Sequence, residues 1–548
     1  MNKKILFVTE FSELSTGYSV YTKNVLSYLS KVPHFEVAEL SCYVDRNNQA
    51  INNVPWKVYP NKPLKEDAEF ASYSGHTAAQ FGDQTFNAVL LDFQPDIVMD
   101  IRDWWMFEFE QRSPFRDFFH WAIMPTVDAQ PQDPQWVNTY ASADSVFTYS
   151  EFGRDVLLNQ CDDMKFVGIA SPAADSEIFK PLDKFPHKES CGLSGDSFII
   201  GTVMRNQKRK LYPDLFASFR KILDTTHRDD LFLYCHTYYP DIGWDIPSLL
   251  NDHGISSRVL FTYKCKTCHL ITSDFFNDGV QICKSCGNFT NQLAGISNSV
   301  DSNQLASIYN LFDVYVQYAN SEGFGMPQLE AAYCGVPVVS VNYSAMESVI
   351  KNIGGIPIQP LSFYKECETG CDRAVPNNEE FIQVMTNLIR LGKQDNAKRG
   401  LEIRDKALKV YNWKQTAEKW KSHFEKIQLK PIEQTWLSRP RVVEPARQIP
   451  EDRVSILDKV NFLFTDVLHK PEWLGSFFWR KAVKDCTFGY KCQNLSKDFY
   501  FNESHNKNHG SMQPFSIDQA LEEMINFRTQ LNDWELARHR SNQERFSR

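Results

Sequence analysis

Residues 320–339 read NSEGFGMPQLEAAYCGVPVV, and they carry the clearest local pattern in the chain. Gly323 and Gly325 let the backbone come close to a ligand, and a strand-like segment precedes them. Pro327 suits the first turn of a helix, and Gly335 suits the position where that helix stops. The pattern predicts a strand, a loop and a helix, with backbone amides and the positive helix end directed at an anion.

Two glutamates belong to this unit. Glu322 lies in the predicted loop, and Glu330 lies eight positions later, a little over one turn into the predicted helix. One carboxylate can therefore reach a sugar while the other reaches a ribose. A capping glutamate in an ordinary strand–loop–helix turn is the structural alternative.

Short apolar runs alternate with helix-length segments on both sides of this unit, as parallel sheets with crossover helices require. The strand-like runs are 5–8, 96–99, 121–124, 145–149 and 166–169 in the first half, and 198–203, 231–234, 259–261, 314–317 and 336–341 in the second. We predict two α/β domains, residues 1–175 and 176–427, joined near the prolines at 172 and 181. In such sheets ligands bind beyond the carboxyl ends of the strands.

Residues 320–339 resemble the signature of the retaining GT-B glycosyltransferases of the glycogen-synthase and sucrose-synthase type, and the resemblance covers roughly residues 4–427. The family signature is a glutamate, a Gly-Phe-Gly-x-Pro turn, and then Glu-Ala-x-x-x-Gly-x-Pro-Val-Val. The resemblance implies two Rossmann-like domains facing across a cleft, and sugar transfer from a nucleotide-diphosphate sugar, such as a UDP sugar, with retention of configuration. It places Glu322 by the donor sugar and Glu330 on the ribose hydroxyls, and it assigns sugar and diphosphate contacts to the amides of Gly323, Phe324, Gly325 and Met326.

Further cations and a glycine loop fit the same resemblance. Arg205 and Lys210 follow the predicted strand 198–203, where cations suit the charge that develops on a diphosphate leaving group. By resemblance they bind the phosphates, whereas Lys208 and Arg209 fit a solvated loop better. Gly17 resembles the N-terminal glycine turn that approaches the diphosphate from the opposite domain.

The chain departs from the family pattern after the strand 121–124, where many relatives carry a histidine against the donor sugar. Asp128 stands there instead, which puts a histidine-dependent role in doubt and suggests a carboxylate that binds sugar or acceptor hydroxyls. Asp103 is a candidate acceptor ligand or a loop cap, and His236 lies near the nucleotide or is structural. Two carboxylates for double displacement are not identifiable, so we favour front-face attack without a catalytic divalent metal.

Two Cys-x-x-Cys pairs, separated by fourteen residues, predict a four-thiolate structural Zn²⁺ site in a ribbon spanning 263–290. The predicted ligands are Cys265, Cys268, Cys283 and Cys286. The ribbon is an insertion in the second α/β domain, and Lys264, Lys266 and Lys284 make it locally basic. It suits nucleic-acid binding, protein contacts or bracing of a loop.

Composition limits the remaining possibilities. The chain has 548 residues and a formal net charge of -9, so it is not a globally basic protein, although a local basic groove is compatible with this balance. The thirteen cysteines are an odd number without an export signal, which indicates cytosolic thiols and metal ligands. No apolar run reaches about 18 residues, so no transmembrane helix is predicted. Residues 428–548 are expected to form a linker and a mostly helical extension.

Three functional hypotheses remain open. The first is a cytoplasmic glycosyltransferase that modifies hydroxymethylated cytosine in double-stranded DNA, as T-even-like phages do, acting in the host cytoplasm if phage-encoded. The second is a glycosyltransferase acting on a glycan or glycolipid precursor. The third is a non-catalytic GT-B module that recruits partners through the zinc ribbon. The sugar, the nucleotide and the oligomeric state are left open.

Overall fold

The computed structural model describes residues 2–113, 115–295, 297–429 and Trp436. The strands of the first half are β1 (Lys3–Glu10), β2 (Phe35–Cys42), β3 (Lys57–Pro60), β4 (Ile97–Asp100), β5 (His120–Ile123), β6 (Ser145–Thr148) and β7 (Phe166–Ile169). They form one sheet in the order β3-β2-β1-β4-β5-β6-β7. β1 runs parallel to β2 and β4, and β6 runs parallel to β5 and β7. The loops that follow these strands therefore meet at shared edges of the sheet.

Helices separate the strands of the first half, as the sequence predicts. They are α1 (Gly17–Leu29), α2 (Phe70–Gly75), α3 (Thr77–Gln80), α4 (Asp83–Phe93), α5 (Trp104–Gln111), α6 (Pro134–Ser142) and α7 (Glu151–Gln160), with 3₁₀ turns at Gln49–Asn53 and Arg116–Phe118. Side chains at helix starts satisfy the first amides: Thr16 caps α1 and Ser150 caps α7. The local sequence thus specifies where these helices begin.

The second half has its own sheet, in the order β12-β13-β10-β9-β8-β14-β15-β16, with β11 paired to β10. Its strands are β8 (Phe198–Val203), β9 (Leu231–His236), β10 (Val259–Cys265), β11 (Ile271–Phe275), β12 (Gln281–Ile282), β13 (Phe289–Leu293), β14 (Val314–Gln317), β15 (Val338–Val341) and β16 (Ile356–Ile358). Its helices are α8 (Lys184–Ser190), α9 (Tyr212–Thr226), α10 (Ile246–Asp252), α11 (Ser302–Tyr309), α12 (Met326–Tyr333) and α13 (Ala345–Ile353). A hairpin of β17 (Pro360–Lys365) and β18 (Asp372–Pro376) follows, and α14 (Asn378–Val410) and α15 (Trp413–Lys426) complete this part.

The predicted strands at 166–169, 198–203 and 314–317 are confirmed with the same bounds. The sequence interpretation did not include β2 or the hairpin of β17 and β18. The strand predicted at 259–261 continues to Cys265, because the Rossmann strand and the first ribbon strand are one element. The ribbon is therefore an extension of the second sheet, with β11 and β13 antiparallel to β10.

The last helix of the second half packs on the first half. The Trp420 indole donates a hydrogen bond to the Tyr21 hydroxyl at 2.7 Å, and the Lys3 ammonium donates to the Phe424 carbonyl at 2.6 Å. Trp420 is fully buried. The sequence places this helix in the domain 176–427, whereas its packing joins it to the N-terminal sheet.

Among the described residues, 90–96, 109–113, 115–120 and Trp436 belong to a second compact unit. Within it, the Trp436 ring lies 5.1 Å from the Phe118 ring and 6.1 Å from the Phe115 ring. Apart from residues 428, 429 and 436, the predicted helical extension 428–548 lies outside the described residues. None of the described helices is both long enough and apolar enough to cross a bilayer.

Candidate active site

The signature turn connects β14 to α12 in the predicted way. Gly325 has a φ of 84° and precedes the first turn, which contains Pro327. A Cβ on Gly325 would lie 2.5 Å from the side-chain Nε2 of Gln328, a flexible group that can shift, so the positive φ is the stronger reason for glycine at this position. Gly335 has a φ of 69° just beyond the helix. The unit thus presents the start of α12 and its amides at the carboxyl edge of the second sheet.

Gly323 lies in close contact with the first α/β half. A Cβ on Gly323 would lie 2.3 Å from the Thr126 Cγ2, and Thr126 belongs to the loop after β5. Real Cβ atoms do not come this close to a neighbour. The loops after β5 and β14 can therefore approach this closely at residue 323 because it lacks a side chain.

Glu322 is buried between two cations. Its Oε1 contacts the Lys210 ammonium and accepts a hydrogen bond from the Gln317 amide at 2.6 Å, while its Oε2 accepts one from Arg209 at 2.5 Å. A buried carboxylate needs this compensation, because charge burial without a partner is costly. The structure thus brings Arg209, which the sequence suggested was a solvated loop residue, into the candidate site.

Ser344 holds the backbone at Glu322. Its hydroxyl accepts a hydrogen bond from the Glu322 amide at 2.9 Å, and the side chain is fully buried. Ser344 itself has φ 58° and ψ -153°, a conformation that non-glycine residues rarely adopt. Backbone strain is therefore concentrated beside the central carboxylate.

Arg205 and Lys210 share the loop after β8 but take different partners. Arg205 is half-exposed and pairs with Asp241 through hydrogen bonds of 2.9 and 3.1 Å, whereas Lys210 is buried against Glu322. The Asp241 side chain is only 2% exposed and both its oxygens accept from Arg205, so in this structure the guanidinium is bound to a buried carboxylate. The structure does not bring the two predicted phosphate ligands together on one partner.

Glu330 lies on α12 with one specific partner. The Tyr309 hydroxyl donates to Glu330 Oε2 at 2.6 Å. Burial raises the pKa of Glu330 to about 7, although the hydrogen bond from Tyr309 opposes this shift. The carboxyl group therefore changes its charge near neutral pH and can accept hydrogen bonds from a diol when ionised.

Phe324 and Met326 present backbone rather than side-chain chemistry to this region. The Phe324 ring is buried against the Tyr411 ring, with centroids 5.7 Å apart, and Met326 is the first residue of α12. The assignment of their amides to a ligand stays a prediction. Gly17 likewise begins α1, and a Cβ there would meet no atom within 4 Å.

Asp103 lies next to Tyr18, the residue that follows Gly17. Burial, and then the nearby charge of Asp128, raise the pKa of Asp103 to about 7, against hydrogen bonds with Thr126 and Tyr18. The Tyr18 and Thr126 hydroxyls are 2.9 Å apart. The predicted acceptor residue is therefore a partly buried carboxyl group adjoining the loop that meets Gly323.

The Asp128 side chain accepts hydrogen bonds from two residues of the second half of the chain. Its Oδ2 accepts hydrogen bonds from the Arg373 guanidinium at 2.7 Å and from the Ser321 hydroxyl at 3.3 Å. Arg373 lies on β18 and was not identified from the sequence, because a hairpin outside the signature gives no local signal.

His236 is the last residue of β9, an inner strand of the second sheet. Its Nδ1 lies 2.9 Å from the Thr262 hydroxyl, and burial lowers its pKa to about 4.

The four ribbon cysteines form a compact cluster. All four sulfur atoms lie within 4.8 Å of one another, with Cys265–Cys286 and Cys268–Cys283 separations of 3.7 and 3.6 Å. Zn–S bonds of about 2.3 Å in a tetrahedron give S–S separations of about 3.8 Å, so the cluster fits a zinc ion. Backbone hydrogen bonds and the Thr290 hydroxyl lower the pKa of Cys265 to about 5, which favours the thiolate that a metal needs. Among the described residues, this is the one group of three or more such side chains close enough to share a metal.

Comparisons with known proteins agree with this architecture. Residues 294–360 match the model of the family described as Glycosyl transferases group 1. Sucrose-phosphate synthase from Thermosynechococcus elongatus is 15% identical with a TM-score of 0.54, covering 77% of this chain and 98% of its own. A glycosyltransferase from Rickettsia africae ESF-5 is 14% identical with a TM-score of 0.53, covering 77% and 98%. Anabaena Alr3699/HepE, solved with UDP and glucose, is 12% identical with a TM-score of 0.54, covering 78% and 100%.

The chain has the GT-B fold. At these identities the solved structures establish the architecture, and a comparison with curated protein sequences finds no match. The GT-B fold accounts for the position of Glu322, Asp103 and Asp128, which lie in loops at the carboxyl ends of strands from both sheets.

The contact between the two GT-B domains at Gly323 is testable by a steric substitution. We expect Gly323→Ala to lower the free energy of unfolding by about 1–3 kcal/mol, because its Cβ collides with the Thr126 methyl group. Urea denaturation measures this change. The Thr126→Ser variant removes that methyl and keeps the hydroxyl, so Thr126→Ser combined with Gly323→Ala should recover most of the loss. Equal stability of Gly323→Ala and the unaltered protein would contradict the close contact.

Proposed function

We propose that this protein is a retaining glycosyltransferase that moves a sugar from a nucleoside-diphosphate sugar to an acceptor hydroxyl. The observation that carries the proposal is the buried Glu322 carboxylate, which lies between Lys210 and Arg209 at the start of the glycine turn. A purely structural turn needs neither two cations nor a buried carboxylate at this position. A non-catalytic binding module gives no reason for this cluster of buried charges to be present.

The donor occupies the second domain in this proposal. The diphosphate lies at the amides of residues 323–326 and the start of α12, where helix polarity favours an anion. Lys210 and Arg205 bind the phosphates, and Arg209 joins them on the evidence of its contact with Glu322. Ionised Glu330 accepts hydrogen bonds from the ribose hydroxyls. The UDP complex of Alr3699/HepE supports a uridine nucleotide.

The chemistry is a front-face displacement. The acceptor oxygen bonds to the anomeric carbon on the face from which the phosphate departs, and the carbon–oxygen bond to the phosphate breaks. The acceptor proton passes to the leaving phosphate oxygen, so no separate base is consumed. Glu322 is occupied by Gln317, Arg209 and Lys210, and a carboxylate held in this way is a poor nucleophile for a covalent intermediate.

Cations of the chain stabilise the leaving group in this mechanism. Lys210 and Arg209 are close enough to share one carboxylate, so they can concentrate positive charge where the diphosphate charge develops. This is the role that a divalent ion has in other phosphate chemistry. We therefore propose a reaction that needs no catalytic divalent metal. Asp128 and Asp103 bind hydroxyls of the sugar and the acceptor.

Nucleotide release tests the enzyme assignment. We expect Lys210→Ala to lower kcat by about 10²–10³, because it removes charge stabilisation of the leaving diphosphate. Lys208→Ala is the matched control, since Lys208 is an exposed cation of the same loop and its removal should leave the rate within about twofold. The measurement is nucleoside diphosphate released from a panel of sugar donors. If no donor is bound or cleaved, the enzyme assignment fails.

For the acceptor we propose hydroxymethylated cytosine in double-stranded DNA. The ribbon offers exposed Lys266 and Lys284 and a Phe289 side chain that is 67% exposed, which suits contact with a nucleic acid. Base flipping would present the hydroxyl to the cleft. A glycan or glycolipid precursor is the alternative acceptor.

Mass spectrometry of nucleosides distinguishes the two acceptor classes. After incubation of the protein with a donor panel and hydroxymethylcytosine DNA, we expect a nucleoside heavier by one sugar. Cytosine DNA is the control and should gain no sugar, because it lacks the accepting hydroxyl. Donor cleavage without any DNA adduct would contradict the DNA proposal and favour a glycan.

We further propose that the ribbon binds a structural Zn²⁺ through its four cysteines. Such a closed site has no position for a substrate, so its contribution is to the stability of the ribbon. We expect about one zinc ion per chain by elemental analysis, and a lower Tm for Cys283→Ser, which removes a buried ligand. Cys367→Ser is the control, because Cys367 is exposed and lies outside the cluster. Absence of zinc from protein purified without chelator would contradict the metal site.

A further inference from the structure

The hairpin of β17 and β18 lies beside the candidate active site and outside the family signature. The match to the family model ends at residue 360, where β17 begins. Nothing in the signature or in the proposed donor chemistry requires this hairpin. Its contacts nevertheless lead directly to the signature turn and to Asp128.

Arg373 is the central residue of these contacts. Its side chain is only 7% exposed, and its guanidinium donates hydrogen bonds to Asp128 at 2.7 Å, to the Ser321 hydroxyl at 2.6 Å and to Glu366 at 2.6 Å. Asp128 belongs to the first GT-B domain, whereas Ser321 immediately precedes Glu322 in the second. One side chain therefore joins the acceptor-side carboxylate to the turn that carries the donor-side carboxylate.

The hairpin backbone is bound on both sides of Arg373. The Asp372 amide donates to the Gln130 carbonyl at 2.7 Å, in the first domain. The Ala374 amide donates to the Asn320 carbonyl at 3.2 Å, in the second. The position of Arg373 is therefore determined from both domains, and its planar guanidinium can hold two carboxylates at once.

The charges explain why an arginine is needed here. Asp128 and Glu366 are both partly buried carboxylates, and two such groups without a cation would repel each other. Arg373 pairs with both, and these carboxylates raise its own pKa. Asp128 has two described hydrogen-bond partners, and without the guanidinium only the Ser321 hydroxyl remains.

We propose that Arg373 is a positioning residue for sugar transfer, which holds Asp128 and the Ser321–Glu322 turn in the geometry of the reacting cleft. The inference rests on the proposed function, but it concerns a residue and a hairpin that the donor-binding signature does not include. Arg373 touches neither reacting group in this scheme; it acts through Asp128 and Ser321.

Kinetics with separate donor and acceptor readouts test this role. We expect Arg373→Gln to lower kcat/KM for the acceptor about 10²-fold, the effect of a displacement of about 1 Å at the reacting groups, with little change in the KM for the donor. Arg373→Lys should restore part of the rate, because one ammonium can keep one of the two ion pairs. Asp128→Asn with Arg373→Gln should be no slower than the slower single variant, since both changes disturb the same interaction. Multiplied losses in the double variant, or equal loss of donor binding, would overturn the proposal.

Lys365→Ala is the matched control on the same hairpin. Lys365 pairs with Asp372 at the surface and is 61% exposed, so its removal should change the rate by less than about twofold. Thermal unfolding of each variant separates a folding defect from a positioning defect.

Hydrogen exchange tests the inference independently of any activity. Arg373→Gln should increase amide exchange in both segments 126–131 and 318–323, while Lys365→Ala should not. Unchanged exchange in either segment would overturn the positioning role even if the protein transfers sugar. If exchange increases as expected but no donor is cleaved by the unaltered protein, the proposed function fails and the structural role of Arg373 stands as a non-catalytic one.

Discussion

The buried charge of Glu322 is the constraint on which the arrangement of the cleft depends. A carboxylate removed from water needs cations and hydrogen-bond donors that are already in place, because their absence costs several kcal/mol. Lys210 and Arg209 come from the loop after β8, and Gln317 comes from the end of β14. The two strands are neighbours in the sheet, so the parallel topology itself brings these groups together. The strained Ser344 adds a hydrogen bond to the backbone of the same residue.

The residue after Glu322 is also where the two domains lie close together. Gly323 contacts the Thr126 loop, and a residue with a Cβ at 323 would collide with Thr126 and push the two loops apart. Close approach also excludes water, which strengthens the electrostatic interactions inside the cleft. Packing of α15 on the first sheet returns the chain to the N-terminal domain, so the two domains are connected at more than one point.

Local patterns in the sequence were sufficient for several strands and for the turn that carries Glu322. β8, β14 and α12 follow from apolar runs, glycines and one proline, since those residues determine backbone conformation within a few positions. The cysteine pairs also place the ribbon cluster, because metal ligands recur at fixed spacings. Arg209 and Arg373 were not predicted, for a different reason. Their carboxylate partners Glu322 and Asp128 lie more than a hundred positions away in the chain, and no local periodicity reports which cation will meet which of these carboxylates.

The two sides of the cleft differ in the same way, because one depends on local sequence and the other depends on contacts between distant residues. The proposed donor side consists mainly of backbone amides and nearby residues of one sheet edge, so a short signature can specify it. The proposed acceptor side is assembled from Asp103, the Asp128 loop and a hairpin that begins where the family match ends. Charged groups held by tertiary contacts can differ without altering the backbone of the glycine turn. Under the proposed function, acceptor choice therefore depends on the packing around Asp128, and donor binding depends on the turn.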